Sequence, residues 1–118
     1  MIEKQFLGEF IGTVLLIFLG NGVVANCLLD KTKGKDSGLL VIAAGWAIAV
    51  FVAVTVSAGL SGAHLNPAVT IALTTRDILI GTKVLPITVF AYIFAQLFGA
   101  MFGQFLVYLF YKDHYKIT

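Results

Sequence analysis

The run Ser57-Ala58-Gly59-Leu60-Ser61-Gly62-Ala63-His64-Leu65-Asn66-Pro67 puts two glycines, two serines, a histidine and an Asn-Pro pair inside a segment that is otherwise strongly apolar. No charged residue occurs anywhere in residues 37–75. A bilayer core about 30 Å thick needs roughly 20 apolar residues of helix. The uncharged block is therefore too long for one span and too short for two spans with a turn. An irregular interruption is required, and the polar run supplies it. A helix is predicted over about residues 39–60, closing near Gly59.

The far side of the interruption reads as a helix start. Asn66 is a favoured N-cap, and Pro67 suits the first helical position because its missing N–H would be unpaired there anyway. A short helix is predicted over about residues 67–76, with Arg76 and Asp77 at a membrane surface. Ten residues at 1.5 Å each cover roughly 15 Å, half of the hydrocarbon thickness. Asn66 then lies near the bilayer midplane, at the bottom of a re-entrant loop. Irregular backbone survives at that depth only where it lines a cavity or is buried in protein, because each unpaired N–H or C=O in lipid costs several kcal/mol.

The rest of the chain fits a membrane. Of the 118 residues 59% are hydrophobic and 12% charged, and the mean hydropathy is +0.98, too apolar for an ordinary soluble domain. Two further uncharged blocks, residues 10–29 and 84–111, predict spanning helices over about 6–29 and 84–110. The first ends in a polar loop at residues 30–36. The second carries Gln96 at its centre and ends among Tyr108, Phe110, Tyr111 and Tyr115, suited to an interface. The fold class is thus an all-α membrane protein with three transmembrane helices and one re-entrant half-helix, and the lipid bilayer is its first partner.

Other classes drop out. The net charge of +2 is spread over short hydrophilic segments, with no basic stripe to follow a phosphate backbone, so no nucleic-acid partner is expected. Cys27 is the single cysteine and reads as a small apolar packing residue. No cluster of side chains has metal-ligand spacing, and no nucleophile, base and third group are spaced for catalysis, so neither metal, cofactor nor enzymatic activity is expected. The stretch Val23-Val24-Ala25-Asn26 lacks a small-x-small cleavage pattern, and the first helix is read as retained. Gly8 with Gly12, and Gly99 with Gly103, place pairs of glycines on one helix face where two backbones can approach.

The string Ser61-Gly62-Ala63-His64-Leu65-Asn66-Pro67-Ala68-Val69-Thr70 resembles the first Asn-Pro-Ala loop of the aquaporin and aquaglyceroporin family. Gly8-Glu9-Phe10-Ile11-Gly12-Thr13, Trp46 and Ala95-Gln96-Leu97-Phe98-Gly99-Ala100 extend the resemblance over nearly the whole chain. In that family two inverted halves bring their half-helices end to end at the membrane centre, and complete channels assemble as tetramers. This sequence resembles the N-terminal half of a glycerol facilitator. The second loop and the arginine that completes the family's constriction have no counterpart in it.

The resemblance implies roles. Asn66, with Pro67 and Ala68, would offer an amide donor at the midplane. The carbonyls of Gly62, Ala63, His64 and Leu65 would line one side of the pore as acceptors. Trp46 would form an apolar wall of the constriction, suited to the carbon face of a polyol. Glu9 would hold the loop by accepting its N–H groups, as a support outside the solute path. Gln96 reads as a polar partner across helices. His64 is either an intramembrane proton relay or a side chain packed behind the loop, and the resemblance favours the second.

The expected function is a passive channel component for glycerol, other small uncharged solutes or water, completed by a second channel half. The alternatives are a non-conducting truncated fragment and a small inverted-homodimer, proton-coupled transporter that uses Glu9. With the amino terminus inside, as the family has it, Lys4, Arg76 and Lys83 lie inside and Lys31, Lys33, Lys35, Lys112 and Lys116 outside. That arrangement runs against the positive-inside rule.

Overall fold

The structure is a computed structural model describing residues 1–118, and it is helical throughout: α1 Ile2–Leu28, α2 Leu39–Ser61, α3 Pro67–Leu79, α4 Pro86–Phe110 and α5 Lys112–Ile117. α1, α2 and α4 are long and apolar enough to cross a membrane. α3 has 13 residues, about 20 Å at 1.5 Å each, and falls short of a span.

The helix ends follow local chemistry. α2 closes on Gly62, whose φ of 83° is left-handed and whose N–H donates to the Ala58 carbonyl, an arrangement glycine adopts without Cβ strain. Asn66 then turns the chain into α3, its side-chain oxygen accepting from the Ala68 N–H at 2.8 Å with Pro67 in the first position. Pro86 likewise takes the first position of α4, there without a side-chain cap.

α1 is the central helix, packed against α2 on one side and α4 on the other. Small residues make this possible. A Cβ added at Gly99 would lie 2.7 Å from the Phe10 carbonyl oxygen, and one at Gly103 would lie 2.8 Å from that of Val14. The α1 and α4 backbones therefore touch along this seam. Ala49, Ala53, Ser57 and Ala95 are fully buried, whereas Phe90, Phe94, Phe98 and Phe105 on α4 point outward. Small residues inside and large apolar ones outside suit a bundle whose solvent is lipid. α3 packs only against α4.

Some boundaries differ from the sequence reading. α1 starts at Ile2 rather than near residue 6, and α4 starts at Pro86 rather than residue 84. α3 continues past Arg76 and Asp77 to Leu79. The Arg76 guanidinium donates twice to the Asp77 carboxylate, at 2.6 and 2.9 Å, so this charge pair rides within the last turns instead of ending them. The stop is Gly81, at a φ of 80°. Its N–H donates to the Ile78 carbonyl and the Thr82 N–H to that of Asp77, pairing two otherwise orphaned acceptors. α5 adds a short six-residue helix beyond the predicted end of α4.

Candidate functional site

Residues 62–65 join α2 to α3 without regular structure. Ala63 and Leu65 have φ of 55° and 57°, in the left-handed region, while His64 between them does not. Such conformations cost non-glycine residues about 1–3 kcal/mol each and persist only where the surroundings fix them. An alternation of this kind also turns successive N–H groups to one side, making a concavity that fits an anion.

The anion is a side chain. Glu9, on α1, is fully buried, and its Oε2 accepts from the His64 N–H at 3.1 Å and the Ser61 hydroxyl at 2.5 Å. Its Oε1 accepts from the Leu65 N–H at 2.8 Å and from Gln96 Nε2 at 2.7 Å. Four donors on one carboxylate, two of them loop backbone, fix the strained segment from behind.

Around this hub the network closes. Gln96 Nε2 also donates to Thr70 Oγ1 at 2.8 Å, and Thr70 Oγ1 lies 2.9 Å from His64 Nδ1. With its oxygen accepting from Gln96, the Thr70 hydroxyl can donate a hydrogen bond to Nδ1, which places the ring proton of a neutral His64 on Nε2. The His64 ring rests on that of Tyr92, centroids 4.6 Å apart, and the Tyr92 hydroxyl donates to the Ser61 carbonyl at 2.5 Å. The His64 side chain is thus placed behind the loop, beside a cavity of about 320 Å³ that Thr70, Thr74, Asp77 and Lys83 also line.

The front of the loop is different. None of the carbonyls of Gly62, Ala63, His64 and Leu65 accepts a hydrogen bond from the protein. The Asn66 oxygen caps α3, while its Nδ2 donates to no protein group, and Asn66, Ala68 and Gly62 are exposed. Four unpaired acceptors thus stand in sequence beside an amide donor, at a helix N-terminus that carries about half a positive charge.

Trp46 is not part of this cluster. It lies 15 residues before the end of α2, about 22 Å along the helix axis, and its six-membered ring covers Gly20 of α1. Ser61, Thr70 and Tyr92 are network members to which the sequence alone assigns no role. The available signal was spacing: Thr70 follows Asn66, and Tyr92 precedes Gln96, by one helical turn.

Comparison with known proteins adds to this picture. The family model described as major intrinsic protein matches residues 1–117. A glycerol uptake facilitator protein of Streptococcus pneumoniae (strain ATCC BAA-255 / R6) is 55% identical over 113 residues, covering 96% of this chain and 46% of the relative. A probable glycerol uptake facilitator protein of Thermotoga maritima is 50% identical over 113 residues, with the same coverage of 96% and 46%. The solved aquaglyceroporin of Plasmodium falciparum superposes with a TM-score of 0.81 at 39% identity, over 98% of this chain and 45% of that one. The chain spans about half the length of the curated relatives it matches.

Proposed function

This chain belongs to the major intrinsic protein family, and from that premise we propose that it supplies half of a passive channel for glycerol and other small uncharged solutes. The observation that carries the reading is the asymmetry of the re-entrant loop. Its His64 and Leu65 N–H groups are held by Glu9, while its four carbonyls and the Asn66 amide are left without protein partners.

That face suits a hydroxylated solute. Carbonyls accept from hydroxyl groups in place of lost hydration, and Asn66 Nδ2 donates to a hydroxyl oxygen. Carbonyls alone would also attract cations, but the positive end of α3 opposes them. Neutral polyols and water satisfy both conditions. Pro67 and Ala68 shape the start of α3, and Trp46 forms an apolar wall for the carbon side of the solute. Passage needs no covalent step. Two of the relatives are named for glycerol uptake, in keeping with this solute class.

A second half completes the pore. Polar irregular backbone is not tolerated against lipid, and the exposed face of α3, with Val69 and Ile71, needs a protein neighbour. A second body of the same fold, inverted in the membrane, meets both needs, and tetramers of such channels with the amino terminus inside follow the family pattern. A proton-coupled exporter using Glu9 fits less well, because all the acceptor capacity facing the loop is engaged by four donors.

The test is glycerol equilibration in liposomes, followed by light scattering after an osmotic step. The chain is reconstituted alone and together with the C-terminal half of the Streptococcus relative. Equilibration faster than in empty vesicles, and reduced about tenfold or more by Asn66→Asp, is expected, a barrier change of about 1.4 kcal/mol. Rates equal to those of empty vesicles in both preparations would sink the proposal.

A further inference from the structure

Away from the loop, the α1–α2 seam carries a second constraint. Gly20 of α1 is buried beneath Trp46 of α2. A Cβ built at Gly20 would collide with three adjacent atoms of the indole six-membered ring, Cε3, Cζ3 and Cη2. Contact with three neighbouring atoms at once means that the ring lies over the glycine, against the α1 backbone.

One turn along the same seam the roles reverse. A Cβ at Gly45 of α2 would lie 2.7 Å from both Val23 methyl groups of α1. The two backbones are thus already at close approach beside Trp46 and cannot part without losing that packing. A side chain at position 20 would have to displace the ring. The other side of Trp46 is open: the residue is only partly buried, and its Nε1–H has no protein partner among the side-chain hydrogen bonds.

We propose that Gly20 is a positioning residue for Trp46: by lacking a side chain it seats the indole ring on α1 and so sets the width of the path that the ring borders. The solute consequence rests on the reading of Trp46 as a constriction wall. A ring lifted from α1 by an added methyl group moves by about 1 Å toward the open side, the distance needed to restore ordinary carbon–carbon contact. That narrows the path for a polyol more than for water.

Trp46 is the sole tryptophan, so its fluorescence reports the ring directly, with no second half and no transport needed. The full chain in lipid vesicles would be titrated with acrylamide as parent, as Gly20→Ala and as Gly22→Ala, the last a control because nothing lies within 4 Å of a Cβ there. The expected result is a quenching constant changed about twofold, with a shifted emission maximum, in Gly20→Ala alone, as a ring leaving its packed contacts requires. Parent-like quenching in a Gly20→Ala chain of unchanged helicity would overturn the seat. If Gly20→Ala does not insert, Gly20→Ala/Trp46→Ala decides: recovered insertion shows that the ring is what the methyl group meets, and no recovery overturns the proposal. Glycerol added to the parent paired with the C-terminal half of the Streptococcus relative, any tryptophan in that half replaced by phenylalanine, reads the constriction separately. Protection from quenching is expected; its absence would overturn the role of Trp46 toward solutes, and with it the effect on path width, while leaving the ring's seat on Gly20 in place.

Discussion

Two of the irregular connections in this molecule, those after α1 and after α2, treat their backbone groups in opposite ways. The segment after α1 runs along the end of the bundle, and its polar groups find partners in both directions. Asn26 Oδ1 accepts from the Gly34 N–H at 2.7 Å, and the Asp36 N–H donates to the Cys27 carbonyl. Lys35 Nζ donates to the Leu28 carbonyl, and the Thr32 hydroxyl to those of Asn26 and Leu29. The C-terminal turn closes over it, with the Asp30 N–H donating to Thr118 Oγ1 and His114 Nδ1 2.9 Å from the Asp30 carbonyl. The segment after α2 has its donors paired at depth and its acceptors bare. Both contain non-glycine residues at positive φ, Lys31 and Asp36 in one, Ala63 and Leu65 in the other. Strain is therefore not what separates them. The difference is that the first connection engages both donors and acceptors within the protein, whereas residues 62–65 pair their N–H groups and leave all four carbonyls without a protein partner.

The sharpest way to break that contrast is at Glu9. Glu9→Gln keeps one acceptor oxygen but turns an NH2 group toward donors, and each buried donor left unpaired costs about 1–3 kcal/mol. A loss of about 2–4 kcal/mol is expected, concentrated at residues 61–66. Hydrogen exchange at His64 and Leu65 should rise sharply while α4 stays protected. Uniform loss of protection across all helices would mean that Glu9 holds the bundle and not the loop in particular.

Next in size is Asn26→Ala at the other connection. It removes the acceptor for the Gly34 N–H and the donor to the Tyr111 hydroxyl, 2.9 Å away, at an expected cost of about 1–2 kcal/mol in thermal unfolding in detergent. Exchange at residues 61–66 should not change. Tyr92→Phe should cost less, about 1 kcal/mol, by freeing the Ser61 carbonyl, since the ring and its contact with His64 remain. Here exchange of the Ala63 to Leu65 amides should quicken slightly. If Asn26→Ala quickens it more than Tyr92→Phe, the two connections are coupled and the contrast fails.

The spans and the start of α3 were legible because their causes are local. Uncharged blocks mark α1, α2 and α4, and Asn66-Pro67 is a helix start whatever surrounds it. The end of α3 was misplaced because Arg76 and Asp77 looked like a boundary, whereas their side chains pair with each other and the stop belongs to Gly81. The hub around Glu9 was reachable only through the family resemblance. Its partners Ser61, Leu65 and Gln96 lie 52, 56 and 87 residues away, and no periodicity links such positions. Trp46 was singled out as a side chain, but its seat on Gly20 depends on how α1 and α2 cross, which no single helix encodes.

The smallest expected effect lies one turn along α1 from Glu9. Thr13 is buried, and its Oγ1 has no partner; on the facing helix Gln96 Oε1 is buried and unpaired as well. Thr13→Val keeps the shape of the side chain and removes a hydroxyl that gains nothing, so stability should stay level or rise by up to about 1 kcal/mol. A loss larger than that, in unfolding experiments on the reconstituted chain, would show that the hydroxyl is bonded in the membrane, with Gln96 Oε1 the acceptor on the facing helix. The network that holds the loop from behind would then extend along the α1–α4 seam, and the two buried side-chain atoms that lack partners would satisfy each other.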